Sequence, residues 1–262
     1  MTLPIFQADA FTNKIFGGNP AAVVPLYDDW LPKETMQSIA AENNLAETAF
    51  ILLKTTGFHI RWFTPSIEVR LCGHATLASA HVLWNDMKYA ADTIVFDSLS
   101  GPLTIKKLGT GYEMDFPADF ATPFLGDESL IAKIVGASIK TILQGKDDIL
   151  VIVNDENSVK SLKPDFAPLK HINARGVIVS ALGDSTDFVS RCFYPEAGVE
   201  EDSVTGSAHT LMTPYWSKIL NNTKLTATQV SARRGDLICT LVGDRVLLQG
   251  NAVTYLRGEI FV

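Results

Sequence analysis

The hydrophobic positions of this chain fall mostly into short runs that are β-branched or alternate with polar residues. The runs end at Gly, Asp or Pro, which is typical of strands bounded by turns. They predict strands at 3–9, 21–26, 48–53, 58–64, 93–98, 102–107, 111–116, 149–153, 176–181, 187–194, 226–231, 236–242, 245–249 and 252–261. Strands therefore dominate the predicted structure.

Four stretches have helical character instead. Residues 32–44 begin near a proline and end at two asparagines, and residues 127–136 are a weaker candidate. Residues 74–86 and 207–220 are apolar on almost every side. A short helix without a polar face must be surrounded by other elements. Because strands flank both apolar helices in sequence, each helix is predicted to lie inside a curved sheet.

A short motif occurs once in each half of the chain. Leu71–Thr76 (LCGHAT) and Val204–Thr210 (VTGSAHT) each follow a strand, and each opens one of the two apolar helices. Hairpin turns follow at corresponding places, at Thr110-Gly111 and at Gly243-Asp244. The repetition predicts an α+β fold with two pseudo-symmetric lobes, each a curled, mostly antiparallel, barrel-like sheet around a central helix.

The boundary between the lobes is expected near 117–124, where two prolines occur and no periodicity is visible. The N-terminal lobe would then span 1–118 and the C-terminal lobe 119–262. The last strand, at 252–262, could return to the first lobe, and the sequence leaves this open.

The composition of the chain excludes several classes of protein. The chain of 262 residues is 47% hydrophobic and 19% charged, and its net charge is −7, which describes a globular protein. The acidic balance argues against nucleic-acid partners, whose phosphates need a basic face. Neither a secretory signal nor a membrane span is expected. Three scattered cysteines do not suggest disulfides or a zinc site, so a reduced, cytoplasmic setting is expected.

The two repeated turns are candidate binding elements. A helix N-terminus carries unpaired N–H groups and the positive end of the helix dipole, and both attract anions. Gly73 and His74, with Gly206 and Ser207, could therefore bind a substrate carboxylate in a shared cleft between the lobes. The alternative is that both turns are tight strand-to-helix connections without a ligand. Their repetition favours a function.

Two carboxylates are candidate catalytic groups. Glu47 stands at the entry to an apolar strand, where burial would raise its pKa toward the range of a general acid and base. The alternative is an exposed glutamate at a strand edge. Asp202 is the acid nearest the second turn, with Glu200 and Glu201 expected to be solvated. The alternative is that all three only complement the helix dipole.

Three further side chains complete the candidate site. His74 could contact substrate or relay a proton, or only cap its helix. Asn19 follows a glycine-rich loop and could reach the cleft, or only stabilise the turn. Cys72 has no second thiol opposite it, because the other turn carries Thr205, so it is expected to be a small buried residue. Because motifs for phosphate, dinucleotide and metal binding are missing, no cofactor and no metal are expected.

Taken together, these segments resemble the phenazine-biosynthesis PhzF-like isomerase family, which shares the diaminopimelate epimerase fold. The combination is specific because the segments occur in order over most of the chain. They are Phe16–Val24 (FGGNPAAVV), Leu45–Phe50 (LAETAF), Arg61–Pro65 (RWFTP), Leu71–Thr76 and Glu201–His209 (EDSVTGSAH). Ser203 departs from the proline that is common at its position.

The resemblance implies a cofactor-free isomerase, usually a homodimer, with its active site between two lobes. In the phenazine enzyme, the glutamate that matches Glu47 moves a proton within a dihydro-hydroxyanthranilate. Residues that match His74, Asp202 and Ser207 line that site, and glycines that match Gly73 and Gly206 contribute backbone. Because many family members come from organisms that make no phenazines, the substrate itself does not carry over.

The leading hypothesis is a cofactor-independent isomerase in which Glu47 moves a proton on a small amino- or hydroxy-carboxylic acid. Asp202 and His74 would engage an amino or hydroxyl group of that substrate. One alternative is an epimerase or racemase that acts at a single carbon with two bases. Another is a non-catalytic protein that binds small molecules on the same scaffold.

Overall fold

The computed structural model describes residues 1–55, 57–165, 172, 174–195 and 199–262. The chain divides into two compact units. Unit 1 consists of Met1–Asp115 together with Gln249–Val262, and unit 2 consists of Phe116–Leu248. Among the described residues, no helix is both long and apolar enough to cross a membrane.

Unit 1 contains two helices and nine strands among its described residues. The helices are α1 (Lys33–Asn43) and α2 (Gly73–Asn85). The strands are β1 (Thr2–Ala10), β2 (Asn19–Leu26), β3 (Glu47–Lys54), β4 (Gly57–Phe63), β5 (Glu68–Val69), β6 (Thr93–Asp97), β7 (Leu103–Lys107), β8 (Tyr112–Pro117, whose last two residues belong to unit 2) and the C-terminal strand β18 (Ala252–Phe261).

The sheet of unit 1 is mostly antiparallel. β1 pairs antiparallel with both β18 and β2, so the C-terminal strand lies beside the N-terminal one. β2–β3 and β4–β6 are parallel pairs, whereas β3–β4, β4–β5, β6–β7 and β7–β8 are antiparallel. α2 packs against β1, β2, β3 and β18. Every residue of α2 from His74 to Trp84 is buried, as its apolar sequence predicts.

Unit 2 contains three helices and nine strands among its described residues. The helices are α3 (Glu128–Val135), α4 (Glu156–Lys160) and α5 (Gly206–Leu220). The strands are β9 (Thr122–Pro123), β10 (Ile139–Gln144), β11 (Asp148–Val153), β12 (Gly176–Leu182), β13 (Phe188–Tyr194), β14 (Val199–Asp202), β15 (Lys224–Gln229), β16 (Gly235–Val242) and β17 (Arg245–Gly250, whose last two residues belong to unit 1).

Unit 2 repeats the strand pairing of unit 1. β10–β11 is antiparallel, β11–β12 parallel, β12–β13 antiparallel, β13–β15 parallel and β15–β16 antiparallel. The same order of directions runs through β1–β2, β2–β3, β3–β4, β4–β6 and β6–β7 of unit 1. α5 packs against β11, β15 and β16 and is largely buried. The predicted α+β fold with two pseudo-symmetric sheets, each with a buried helix, is confirmed.

The sequence pattern missed five short elements. β5, β9, β14 and α4 are too short to show a periodicity. β10 is half-buried along almost its whole length, so its sequence shows no alternation, although its backbone pairs with both β11 and β9. The predicted crossing segment 117–124 contains β9, and the division between the units falls just before it, between Asp115 and Phe116.

Candidate active site

In unit 1, three strand or helix starts lie next to one another. Asn19 is the first residue of β2, Glu47 is the first residue of β3, and Gly73 is the first residue of α2. β2 and β3 are parallel, with Ala21 opposite Glu47, so both strands start on the same side of the sheet. This arrangement brings the side chains of Asn19 and Glu47 to the N-terminus of α2, where His74 lies.

His74 is the centre of this cluster and is 5% exposed. Its Nε2 lies 3.2 Å from Oε2 of Glu47, an ion-pair distance without the alignment of a hydrogen bond. Its Nδ1 lies 3.1 Å from Nδ2 of Asn19 and 3.5 Å from Sγ of Cys72. The Glu47 side chain is 18% exposed, so its carboxylate can reach a ligand.

The electrostatics favour a charged histidine beside the carboxylate. Burial alone would lower the pKa of His74, but the interactions with Cys72 and Glu47 outweigh it, and the pKa is raised. Burial, assisted by the charge of Glu47, raises the pKa of the Cys72 thiol to about 11. Because Cys72 is therefore uncharged at neutral pH, Glu47 is the partner that stabilises the imidazolium.

Glu47, Cys72 and His74 could in principle hold a metal ion, since each places one ligand atom within 4.8 Å of the others. The sequence spacing did not predict such a cluster. Nδ1 of His74 faces Cys72 and Nε2 faces Glu47, so an ion bound by all three residues would use only one of the two ring nitrogens.

In unit 2, Asp202 lies at the N-terminus of α5. Its Oδ2 accepts a hydrogen bond from Oγ1 of Thr205 at 2.6 Å, and Thr205 is the residue before the helix. Gln229 holds both residues, because its Nε2 donates to the Asp202 carbonyl at 2.7 Å and its Oε1 accepts from the Thr205 N–H at 2.8 Å. The second turn is therefore fixed by a side chain from β15 that the sequence did not indicate.

Ser207, in the first turn of α5, accepts a hydrogen bond from Nη2 of Arg175 at 3.0 Å. Arg175 also donates through Nε and Nη2 to the two carboxylate oxygens of Asp148. Burial raises the pKa of Asp148, and Arg175 acts in the opposite direction. Neither Arg175 nor Asp148 was predicted as a site residue from the sequence. The internal repeat could have done so, because Arg175 directly precedes β12 as Glu47 begins β3.

The candidate residues thus fall into two groups, one in each unit. Asn19, Glu47, Gly73 and His74 cluster at the start of α2. Another group lies at the start of α5, namely Asp202, Gly206 and Ser207. Glu200 is exposed, as expected. The expectation of a solvated Glu201 is wrong, because Arg191 holds its carboxylate with two hydrogen bonds of 2.8 Å.

Comparison with known proteins places this geometry in a family. Residues 8–258 match the family model described as phenazine biosynthesis-like protein, PhzC-PhzF. An uncharacterized isomerase of Pseudomonas aeruginosa is 47% identical over 260 residues, 99% of each chain. An uncharacterized isomerase of Halalkalibacterium halodurans is 46% identical over 271 residues and all of each chain. A human phenazine biosynthesis-like domain-containing protein is 39% identical over 287 residues, 99% of each chain.

Solved structures of similar fold support the same family. A phenazine biosynthesis protein of the PhzF family from Enterococcus faecalis is 44% identical over all of both chains, with a TM-score of 0.94. A hydroxyproline epimerase from Agrobacterium vitis shares only 8% identity but matches with a TM-score of 0.63 over 99% of this chain and 92% of that one, which shows the fold alone.

The fold and these relatives define an isomerase built on an epimerase-like scaffold. The chain belongs to the phenazine biosynthesis-like, or PhzF, family. The resemblance read from the sequence motifs is thereby confirmed.

Proposed function

We propose that this isomerase moves a proton on a small amino- or hydroxy-carboxylic acid without a cofactor, with Glu47 as the general base and acid. The observation that carries the proposal is the contact between Oε2 of Glu47 and Nε2 of the buried His74, at 3.2 Å. A carboxylate that is partly exposed at a helix N-terminus and held beside a histidine can accept a proton from a ligand and return it.

The proposed reaction begins when the Glu47 carboxylate takes a proton from a carbon activated by a neighbouring unsaturated or carboxyl group. The C–H electron pair shifts into the adjacent π system, and the new O–H bond forms on Glu47. Protonation of another carbon of the same π system by Glu47 restores the carboxylate and completes the isomerisation. His74 holds the carboxylate in place through their ion pair, and N–H groups at the start of α2, at Gly73 and His74, stabilise developing negative charge.

The second group of residues is proposed to bind the substrate. The 2.6 Å hydrogen bond from Thr205 fixes Asp202, which could accept a hydrogen bond from an amino or hydroxyl group. Gly206 and Ser207 open α5, and their N–H groups suit a carboxylate. That both groups of residues serve the same substrate stays a prediction from the sequence.

The test begins with a thermal-shift screen of small cyclic and acyclic amino and hydroxy acids, because a ligand of the native state raises Tm. Turnover of the hits is then followed in the wild type, in Glu47→Gln and in Glu42→Gln, an exposed residue of α1. Loss of the base should lower turnover by at least about 10²–10⁴-fold, whereas Glu42→Gln should be unaffected. Normal turnover by Glu47→Gln would remove Glu47 from the mechanism.

Two further measurements separate the alternatives. In deuterated water, an epimerase incorporates deuterium at the centre that it inverts, whereas a double-bond shift changes the ultraviolet spectrum. A binding protein would retain ligand affinity in Glu47→Gln and show no turnover in the wild type. Exhaustive dialysis against a chelator should leave turnover unchanged if no metal takes part. The homodimer and the cytoplasmic location also stay predictions, and light scattering tests the first.

A further inference from the structure

Arg175 occupies a defined place at the start of α5. The residue precedes β12, and β12 runs parallel to β11 with Gly176 opposite Asp148. Asp148 begins β11 and its side chain is only 5% exposed, whereas that of Arg175 is 44% exposed. The guanidinium therefore lies between a buried carboxylate and the surface, beside the first turn of α5, where it contacts Ser207.

Asp148 fixes the plane of this guanidinium. Its two oxygens accept from Nε and Nη2 of Arg175, which is the bidentate geometry that orients an arginine most strictly. The backbone N–H of Arg175 also donates to the Asp147 carbonyl at 2.7 Å. The guanidinium carbon lies 5.0 Å from the centre of the Tyr194 ring, which supports it from one side. Asp148 and Tyr194 thus hold the guanidinium, and the Asp147 carbonyl holds the backbone of Arg175.

The contact with Arg175 sets the role of the Ser207 hydroxyl. A guanidinium can only donate, so Ser207 Oγ is the acceptor of the 3.0 Å hydrogen bond. Its own O–H must then donate elsewhere, and no described residue accepts it. Nη1 of Arg175 carries two more N–H groups, which likewise have no acceptor in the described part of the chain. The Ser207 hydroxyl belongs to the first turn of α5, whose backbone N–H groups have no partner within the helix.

We propose that Arg175 is the specificity-determining residue of a carboxylate subsite, formed by its Nη1, the Ser207 hydroxyl and the first turn of α5. The unit offers several donors there, and the buried carboxylate of Asp148 faces inward against Arg175. A ligand group must therefore accept several hydrogen bonds at once, which a carboxylate does and a neutral amide does less well. This inference rests on the proposed function, because it names which residues recognise the acid group of the substrate.

The repeated topology supports the assignment. At the matching place of unit 1, the start of β3 carries the acidic Glu47 next to His74, the second residue of α2. In unit 2, the residue before β12 is a cation next to Ser207, the second residue of α5. Divergence of the repeat has therefore placed a base in one copy and an anion-binding group in the other.

The experiment compares binding of 2-aminobenzoate with that of its uncharged counterpart 2-aminobenzamide by saturation-transfer NMR titration. The wild type should prefer the acid by about tenfold or more, as expected for a lost charge-assisted hydrogen bond. In Arg175→Met this preference should fall to about threefold or less. Arg234→Met, which removes an exposed cation paired with Asp236 in the same unit, should keep the wild-type preference.

A second variant is needed as a control for misfolding. Arg175→Met leaves the buried carboxylate of Asp148 without its ion-pair partner, which destabilises the fold. The double variant Arg175→Met, Asp148→Asn removes that charge and should lose the preference as well. If either folded variant keeps the preference, or if the wild type shows none or binds neither compound, the proposal is overturned. Glu47→Gln should retain the preference and lose turnover, so a failure of the subsite and a failure of the proposed base give different results.

Discussion

Nδ1 of His74 lies 3.1 Å from Nδ2 of Asn19, although 55 residues separate the two in the sequence. An amide nitrogen only donates, so Nδ1 accepts here and the neutral imidazole carries its proton on Nε2. The raised pKa of His74 favours the charged imidazole, in which Nδ1 carries a proton and the oxygen of the Asn19 amide must face it. The orientation of the Asn19 amide is therefore coupled to the charge of His74, beside Glu47.

The contribution of His74 to stability should fall as pH rises. Its pKa is raised in the folded protein above the ordinary value of 6.5. Such a group stabilises the fold fully below its unfolded pKa, and the contribution is lost as pH rises through the folded pKa. Urea unfolding should show the largest difference in unfolding free energy between wild type and His74→Gln near pH 6, and a smaller difference near pH 9. The window starts near pH 6 because the pKa of histidine in the unfolded chain is about 6.5. A difference that grows with pH contradicts this prediction.

His81 and His209 should act in the opposite direction. Burial lowers the pKa of each to about 4. The unfolded chain then binds protons that the folded one does not, so stability falls as pH drops from about 6.5 toward 4. The loss is of the order of 3 kcal/mol per histidine, from about 1.4 kcal/mol per pKa unit.

The measurement for this prediction is the free energy of unfolding of wild type, His81→Gln and His209→Gln across the same acid range. Each substitution should remove about half of the combined pH dependence of the two histidines. Identical slopes in all three proteins would mean that neither histidine is held neutral in the fold.

Cys72 should be dispensable for turnover. The thiol is buried, and its pKa of about 11 leaves almost no thiolate at neutral pH. Cys72→Ala should therefore keep turnover within a few-fold of the wild type, and iodoacetamide should inactivate the native enzyme slowly near neutral pH. Rapid inactivation, together with a large loss in Cys72→Ala, would assign the thiol a catalytic part and favour a two-base epimerase.

Gly18 should be required for the position of Asn19. It has φ +61°, and a Cβ there would lie 2.1 Å from the Ala10 carbonyl oxygen. Gly18→Ala should cost about 2 kcal/mol or more of unfolding free energy, because both the backbone conformation and the contact are unfavourable. Its turnover should also fall, because Asn19 follows directly. The matched control is Gly258→Ala, where the nearest atom would be 3.6 Å away, and urea midpoints should separate the two variants.

Local patterns were sufficient for most of the secondary structure. The predicted helix 207–220 is α5 (Gly206–Leu220), and the predicted strand 252–261 is β18 (Ala252–Phe261). Period and end signals are encoded by residues adjacent in sequence, so these elements can be located without any tertiary information. β10 was not predicted, because its side chains are half-buried on both faces and show no alternation. Its pairing with β9 and β11 makes it a strand.

Local sequence patterns predicted only some of the residues of the candidate site. The repeated turns indicated His74 and Ser207, and the acids Glu47 and Asp202 were identified as candidates by their positions. Gln229 was missed because nothing around it in the sequence marks it. Arg175 was missed because its sequence neighbours do not mark it, and only the match between the two repeats points to it. Gln229 reaches Thr205 across 24 residues, and Arg175 reaches Asp148 across 27 and Ser207 across 32.

The sequence by itself determined the family, the order of the longer strands and helices, and the existence of two matching halves, because motif, period and repetition are properties of the linear chain. Only the tertiary structure decided that β18 lies beside β1, that Asn19 meets His74, and that Arg175 is locked onto Asp148 beside Ser207. The physical reason is that strand pairing sets which polar side chains become neighbours. That pairing depends on how each whole sheet buries its apolar face and its central helix.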